Sequence, residues 1–577
     1  MAQQFRQWWQ SAVVYQIYPR SFADGNGDGI GDLAGIAAHL DYLVELGVDV
    51  IWLSPIYPSP QDDNGYDISN YQDIDSVFGS LVEFDALLGE VHRRGMKLIM
   101  DLVVNHTSDE HPWFIESRSS TDNPKRDWYW WRPAREGMQA GAPGAEPTNW
   151  ASYFSGSAWQ FDETSGQYYL HVFSRKQPDL NWENPEVRQA VYAMMRWWLD
   201  RGIDGFRMDV INMISKDPAL PDGHVLSGGL WGDGSPHFIC GPRFHEFLQE
   251  MHREVFAGRP GQFLSVGEAV GITVDEARLC TDPARAELDM VFHFEHVLLG
   301  SGNGGKWDIV PFGLPDLKAV LGRWQAGLAE VGWNSLYWNN HDQPRAVSRF
   351  GDDGEYRVQA AKLLGTVLHL HRGTPYIYQG EELGMTNVPF SSIEDFRDIE
   401  SLNYYSQAVA SGQDPADVLA ALRLRSRDNG RTPMQWDDSP HAGFTVGEPW
   451  MPVNPNYDII NAHAERADPD SVLQHYRKLI ALRHDLPVVA FGDFTMLLAQ
   501  DSQIYAFTRR LKDVELLVLA NFSHEIVDTD LPNADDWAAS EVLLTNYSRT
   551  DSEELLRLRP WEARVFRRTV NGATPRR

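Results

Sequence analysis

Eight short β-rich runs alternate with amphipathic helical segments, and this pattern predicts an α/β fold, a parallel (β/α)8 TIM barrel, for most of the first 486 residues. A stretch far longer than an ordinary βα loop separates the third run from the fourth, which predicts an inserted subdomain. After about Pro487 the texture changes to short alternating strands, which predicts an all-β C-terminal domain of the β-sandwich type. The expected division is therefore a barrel built from residues 1–104 and 179–486, an insertion at 105–178 and a β domain at 487–577. A chain of 577 residues is too long for one ordinary core, so several domains are expected on length alone.

In chain order the strand candidates are VVYQIYP (13–19), VDVIWLSPIY (48–57), KLIMDLVVNH (97–106), GIDGFRMDVI (202–211), FLSVGEA (263–269), MVFHFEH (290–296), NSLYWNNHD (334–342) and TPYIYQGEE (374–382). Segments such as EFDALLGEVHRRG and PEVRQAVYAMMRWWLDRG supply the helices that return the chain over the sheet. The barrel fold accepts long insertions in its βα loops. A second insertion follows the eighth run, from about Met385 to Pro455, and is rich in Gly, Pro, Asn and Asp. The last strands include SQIYAFTRR and VELLVLANFS.

The composition is globular, at 43% hydrophobic and 23% charged residues. A net charge of −31 argues against nucleic acid and against anionic membranes as partners, since either would repel this surface. Two cysteines, Cys240 and Cys280, cannot make a disulfide framework. The start MAQQFRQWWQ has no basic segment followed by an apolar run, and no window approaches the roughly 18 apolar residues of a membrane span. These features predict a cytoplasmic protein, and monomer and dimer are both compatible with the sequence.

Most strand candidates end in polar residues: Asn105 and His106 on the third, Arg207 and Asp209 on the fourth, Glu268 on the fifth, His341 and Asp342 on the seventh. In barrel enzymes the C-terminal strand ends meet at one face and build the active site. Side chains alternate along a strand, so Arg207 and Asp209 share a face. Three carboxylates therefore converge: Asp209, Glu268 and Asp342. Glycosidic bond cleavage with retention needs one carboxylate to attack the anomeric carbon and one acid to protonate the leaving oxygen, about 5 Å apart. Arg207 is expected to keep Asp209 ionised, and an apolar setting beside Val266 and Ala269 is expected to keep Glu268 protonated.

The stretches DLVVNH, GFRMDVI, VGEA and NNHDQPR resemble the four signature segments of the α-amylase family, glycoside hydrolase family 13, and QPDLN (177–181) resembles its fifth. They occur in the family's order, and the resemblance runs from about Trp8 to the C-terminal β domain. It implies a retaining α-glucosidic mechanism with Asp209 as nucleophile, Glu268 as acid/base and Asp342 binding sugar hydroxyls and distorting the ring. His106 and His341 match hydroxyl-binding histidines, and Asp67 in GYDIS matches a residue that grips the terminal sugar. The stretches HTSDEHPWF, FHFEH, GGKWD, GWNSLYWNNHDQPR and RDNGRTPMQW narrow the resemblance to the oligo-1,6-glucosidase and dextran glucosidase group. That group acts from the non-reducing end of short glucans. In it, the Arg of DNGR, here Arg431, closes the pocket around the terminal glucose. Phe154 and Phe173 are candidates for the pocket lining, with ordinary core packing as the rival reading.

Valine after the nucleophile, here Val210, is similar to the α-1,6-preferring members, whereas α-1,4-preferring relatives carry a smaller residue. One methylene in a pocket shifts preference about 10–200-fold. Lys306 in GGKWD matches a residue near the leaving-group sugar. GEAVG at 267–271 departs from the GEMPG of many oligo-1,6-glucosidases, so Ala269 and Val270 are expected to alter that subsite. The alternatives are an α-1,4-preferring or transglycosylating α-glucosidase, a sucrose isomerase, and a non-catalytic transporter subunit. An R-x-D-R cluster, which isomerases carry after the sixth strand, is absent from LGSGNGGKWDIVPFGLPDLK. Transporter subunits lack the three acids and carry a membrane span.

DGNGDGIGD, from Asp24 to Asp32, alternates oxygen donors with glycines like the first nine places of an EF-hand loop. Asp24, Asn26, Asp28, the Ile30 carbonyl and Asp32 are the expected ligands of a structural Ca2+, with Gly35 at the twelfth place, where an EF-hand has Glu. No organic cofactor is implied.

Overall fold

The computed structural model describes residues 7–225, 231–548 and 556–570. Each of the eight strand candidates contributes to one parallel sheet: β1 (Val14–Ile17), β2 (Val50–Leu53), β3 (Lys97–Val103), β4 (Gly205–Asp209), β5 (Leu264–Glu268), β6 (Met290–Phe292), β7 (Ser335–Leu336) and β8 (Thr374–Tyr378). Their order is β6-β5-β4-β3-β2-β1-β8-β7, and a parallel bridge between Val291 and Asn334 closes the barrel. The strands are buried along almost their whole length, as strands with helices on one side and a filled barrel on the other must be.

Register fixes the site. Asp101 of β3 lies opposite Arg207 of β4, and Val103 opposite Asp209. Gly205 opens β4 at φ +148, and a Cβ there would stand 2.0 Å from the Leu264 carbonyl oxygen. Only glycine lets β5 approach β4 this closely. The helix that precedes β4, Pro185–Arg201, starts on an Asn184 side chain that accepts from the Glu186 amide and ends at Gly202 at φ 114. Both ends follow ordinary capping chemistry.

The strands are shorter than the runs that predicted them. β7 has two residues, and Asn339 to Asp342 lie in a loop beyond it, where the Asp342 amide donates to Asn340 Oδ1. The insertion carries a three-stranded antiparallel sheet of Trp131–Arg132, Gln167–Leu170 and Trp159–Asp162. Its core joins Trp130, Trp150, Trp159 and Leu170 to Val210, Met213 and Phe238, so this core takes in part of the β4 loop as well. The second insertion, after β8, contains the helices Ile399–Ala410 and Pro415–Arg425.

The C-terminal sheet has five antiparallel strands, β9 (Asp493–Leu497), β10 (Ile504–Leu511), β11 (Val514–Asn521), β12 (Glu541–Thr545) and β13 (Ala563–Thr569), in the order β9-β10-β11-β13-β12. Alternation divides its faces: Tyr505, Phe507, Leu516 and Val518 join the barrel core, while Ile504, Ala506, Leu517 and Leu519 cover Leu531, Trp537 and Leu558. The second layer includes a two-stranded sheet, Val527–Asp528 with Arg557–Leu558.

Candidate active site

Arg207, buried to 1% exposure, is the hub of the C-terminal barrel face. Its Nη1 donates to Asp101 Oδ1 at 2.6 Å and to Asp209 Oδ1 at 2.7 Å, and its Nη2 donates to Glu268 Oε2. One guanidinium thus holds three carboxylates. Asp101 is a residue that the sequence reading missed. It also accepts from Trp52 Nε1 and Tyr66 Oη, each at 3.0 Å. A signal was present: DLVVNH opens with an acid inside an otherwise apolar run.

The expected electrostatics need correction at both acids. Burial raises the pKa of Asp209 well above the ordinary aspartate range; Glu268 and Asp101 repulsion adds to this, and Arg207 only opposes it. Arg207 is shared too widely to fix Asp209 as an anion by itself. Glu268, expected in an apolar setting, instead accepts from Arg207 and from the Val210 amide at 3.1 Å.

Asp342 behaves oppositely to Asp209. Burial would raise it, but the charges of Arg427 and Arg431, with that of His341 when protonated, outweigh burial and hold it below the usual carboxylate range. It accepts from Arg427 Nη1 at 3.1 Å and Arg431 Nη2 at 2.9 Å. His341 lies between Tyr66 and Tyr18 rings at 4.9 and 6.0 Å, takes a Gln16 amide contact at 2.8 Å on Nδ1, and is pushed down to about 3 by burial, so it is neutral. His106 is likewise buried and pushed down to about 4, with Nε2 3.1 Å from the Tyr66 carbonyl oxygen.

Two expected sugar-gripping residues are fully buried and held in other bonds. Asp67 is fully buried, and its carboxylate accepts from Ser59 Oγ at 2.9 Å and from the Asp62 and Asp63 amides at 2.8 and 3.1 Å. Those bonds occupy it in the turn before the pocket, and burial raises it to about 7. Arg431 is fully buried as well, donating to the His341 carbonyl oxygen and to Asp342. The groups that reach the surface beside Asp342 are Asp63 and Arg427, whose side chains are 6% and 9% exposed and paired at 3.0 Å. Arg427 also meets Asp398, and Gln177 Nε2 joins Asp63 Oδ2 to the His106 ring.

Phe154 lies under the Arg427 guanidinium at 4.9 Å, and Phe173 contacts both Phe154 and His106 at ring distances of 5.6 and 5.3 Å. Both phenylalanines therefore border this cap. Lys306 stands on the hairpin Ser301–Gly302 and Gly305–Ile309 and pairs with Glu400 at 2.6 Å, which in turn lies 3.5 Å from Arg427. Val210 is nearly buried and packs in the core of the insertion. Of the two residues that depart from GEMPG, Ala269 is fully buried and Val270 is partly exposed.

In the loop Asp24–Asp32, Asp24 Oδ2 accepts from the Gly29 amide at 2.7 Å, a bond from first to sixth place, and Gly29 takes φ +91. Asp28 accepts from the Ile30 amide, and Asp32 from those of Gly25, Asn26 and Gly35. Among the described residues, the three-member cluster of His, Cys, Asp or Glu ligand atoms within 4.8 Å of one another is His245, Cys280 and Glu287. There Glu287 already meets Arg285 at 2.7 Å and Gln249 at 2.8 Å, so the cluster is a closed hydrogen-bond network in which a cation would face a guanidinium.

The family profile "Alpha amylase, catalytic domain" matches residues 16–492, and "Alpha-amylase SusG C-terminal domain" matches 504–565. A curated oligo-1,6-glucosidase of Parageobacillus thermoglucosidasius is 60% identical over 97% of this chain and 99% of that protein. One of Halalkalibacterium halodurans is 56% identical over 97% and 99%. The crystal structure of Bacillus licheniformis trehalose-6-phosphate hydrolase, mutant R201Q, superposes with a TM-score of 0.91 at 48% identity, covering 97% of this chain and all of that one. The barrel, its acidic face and the profile matched over most of the length agree, and the chain belongs to the α-amylase family of glycoside hydrolases.

Proposed function

We propose that the protein is a retaining exo-acting α-glucosidase that removes glucose from the non-reducing end of short α-glucosides and prefers α-1,6 linkages. The observation that carries this reading is the arrangement around Arg207 and Arg427. One arginine gathers Asp209 and Glu268, and the other, paired with Asp63 and Asp342, caps the far side. A cap of fixed charges at one end suits a single terminal sugar whose hydroxyls bond to it. The oligo-1,6-glucosidase names of relatives up to 60% identical support the linkage.

In the first step an Asp209 carboxylate oxygen bonds to the anomeric carbon as the glycosidic C–O bond breaks, and the proton of Glu268 passes to the departing oxygen. In the second, water attacks the same carbon, Glu268 takes a water proton, and the ester bond to Asp209 breaks to release α-glucose. The pair needs one proton between its two acids. The upward push on Asp209 supplies a site that holds a proton before substrate arrives, and positive charge developing at the anomeric carbon favours its residence on Glu268. Asp342, held anionic by Arg427 and Arg431, accepts from ring hydroxyls.

We propose the Asp24–Asp32 loop as the site of a structural Ca2+. The donors are all oxygen, as a hard cation prefers, and the bond from the first-place carboxylate to the sixth-place amide sets the turn. When bound, the ion would neutralise repulsion among Asp24, Asp28 and Asp32. We assign the protein to the cytoplasm, since both cysteines are free and no helix among the described residues is long and apolar enough to cross a membrane.

The test is kcat/KM for isomaltose and maltose side by side, with the anomers followed by NMR. The reading expects isomaltose to be preferred and α-glucose to appear first. Preference for maltose would overturn the linkage assignment, and β-glucose appearing first would overturn the mechanism.

A further inference from the structure

The turn after Asp209 is bound to the turn after Glu268, and the binding uses a backbone that valine adopts only under constraint. Val210 has φ 35 and ψ 40, in the left-handed region, where a β-branched side chain is strained. In this turn the Val210 N–H points at Glu268 Oε2, 3.1 Å away. Arg207 Nη2 donates to the same oxygen. An oxygen that accepts two such bonds is a poor place for a proton, so Oε1 is left to carry it. Two residues on, Asn212 is fully buried, and its Nδ2 donates to the Val270 carbonyl oxygen at 2.8 Å. The Asn212 carbonyl oxygen accepts from the Cys240 amide at 2.7 Å, which ties the turn to the segment beyond it. The Val210 side chain is packed among Met213, Phe238 and Val270 in the core shared with the insertion, and this packing opposes relaxation of the strained backbone.

We propose that Val210 and Asn212 are positioning residues: they hold the general acid against the nucleophile, select Oε1 as the oxygen that delivers the proton, and make the packing of the inserted subdomain part of that geometry. This rests on the reading of Asp209 as nucleophile and Glu268 as acid. The Val210 amide orients the acid, and Asn212 fixes the height of the loop that follows it. Neither residue needs to touch the departing sugar to act in this way.

The test separates steps that need the acid from steps that do not. Isomaltose leaves through an alcohol oxygen that must be protonated, whereas 2,4-dinitrophenyl α-glucoside leaves as a stabilised phenolate. Asn212→Ala removes the tie to Val270, and Val210→Gly releases both the strain and the packing anchor. For each variant kcat and KM are measured on both substrates, and kcat against pH on isomaltose. A misplacement on the order of 1 Å costs up to about 100-fold. The loss in kcat on isomaltose is expected to exceed the loss on the aryl glucoside by about 10-fold or more, with a displaced alkaline limb in the pH profile. Equal losses on the two substrates, or no loss on isomaltose, would overturn the proposal. If Asn212→Ala does not yield folded protein, Val210→Gly carries the same comparison. Asp209→Asn serves as the separate control: if it turns over both substrates, the assignment of the nucleophile fails, which is distinguishable from failure of the positioning role.

Discussion

At the scale of single residues, Asp63 and Asp67 stand four positions apart and carry the same chemistry, yet of the two only Asp63 keeps any exposure. Asp67→Asn turns one of two accepting oxygens into a donor that faces either the Asp62 or the Asp63 amide, and the expected loss is about 1–3 kcal/mol of stability. Arg427→Lys replaces a fork that serves several carboxylates with a point charge, and kcat/KM on isomaltose is expected to fall roughly 10- to 100-fold. Calorimetry and kinetics on both variants check the assignment; an Asp67 variant that keeps its Tm but loses sugar binding would reverse it. Asp209→Asn is expected to abolish turnover and leave the fold intact. The folded pKa of Asp209 is raised, so its contribution to stability declines as pH rises above the ordinary aspartate range. The variant lacks that decline, and its Tm relative to the parent should rise with pH over that window.

At the scale of elements, the Asp24–Asp32 loop crosses to the segment after β8, where Thr445 Oγ donates to Asp24 Oδ2 and a Cβ on Gly29 would stand 1.8 Å from the Glu448 carbonyl oxygen. A cation here would join the first βα loop to the last. Removal of Ca2+ with a chelator is expected to lower Tm, and Ca2+ at about 100 times its Kd adds about 2.7 kcal/mol. Asp28→Ala removes one donor from an exposed loop position and should abolish the Ca2+-dependent shift in thermal melting. A shift that persists in that variant would show that the ion binds elsewhere.

At the scale of the whole molecule, burial of neutral histidines sets a response to acid. His369 is fully buried beside Tyr476 and pushed down to about 3 by desolvation, and neither ring nitrogen has a hydrogen-bond partner among the described residues. Its folded pKa is depressed, so the stability tied to its neutral form is present above about pH 6.5 and is lost as pH falls toward about 3, by up to about 1.4 kcal/mol per pH unit. His369→Leu removes that slope. The difference in Tm between variant and parent should therefore shift in favour of the variant as pH falls from about 6.5 to about 4. A constant difference across that range would mean that His369 is charged in the folded protein.

The sequence by itself determined the barrel and the three acids. Strand length, helix spacing and polar strand ends are local features, and the alternation that pairs Arg207 with Asp209 is a property of any strand. Local pattern could not choose between Asp63 and Asp67, or between Arg427 and Arg431, because each pair is near in sequence and alike in charge. The tertiary structure chose between them by which oxygens the turn at 59–63 occupies and which guanidinium the loop after β7 leaves near the surface. Asp101 escaped notice for the same reason: its partner Arg207 is 106 residues away and meets it only through the register of β3 with β4. Hydrogen-bond partners and desolvation depend on groups brought together by folding, so the proton balance of the site is a tertiary property even where its residues are legible in the chain.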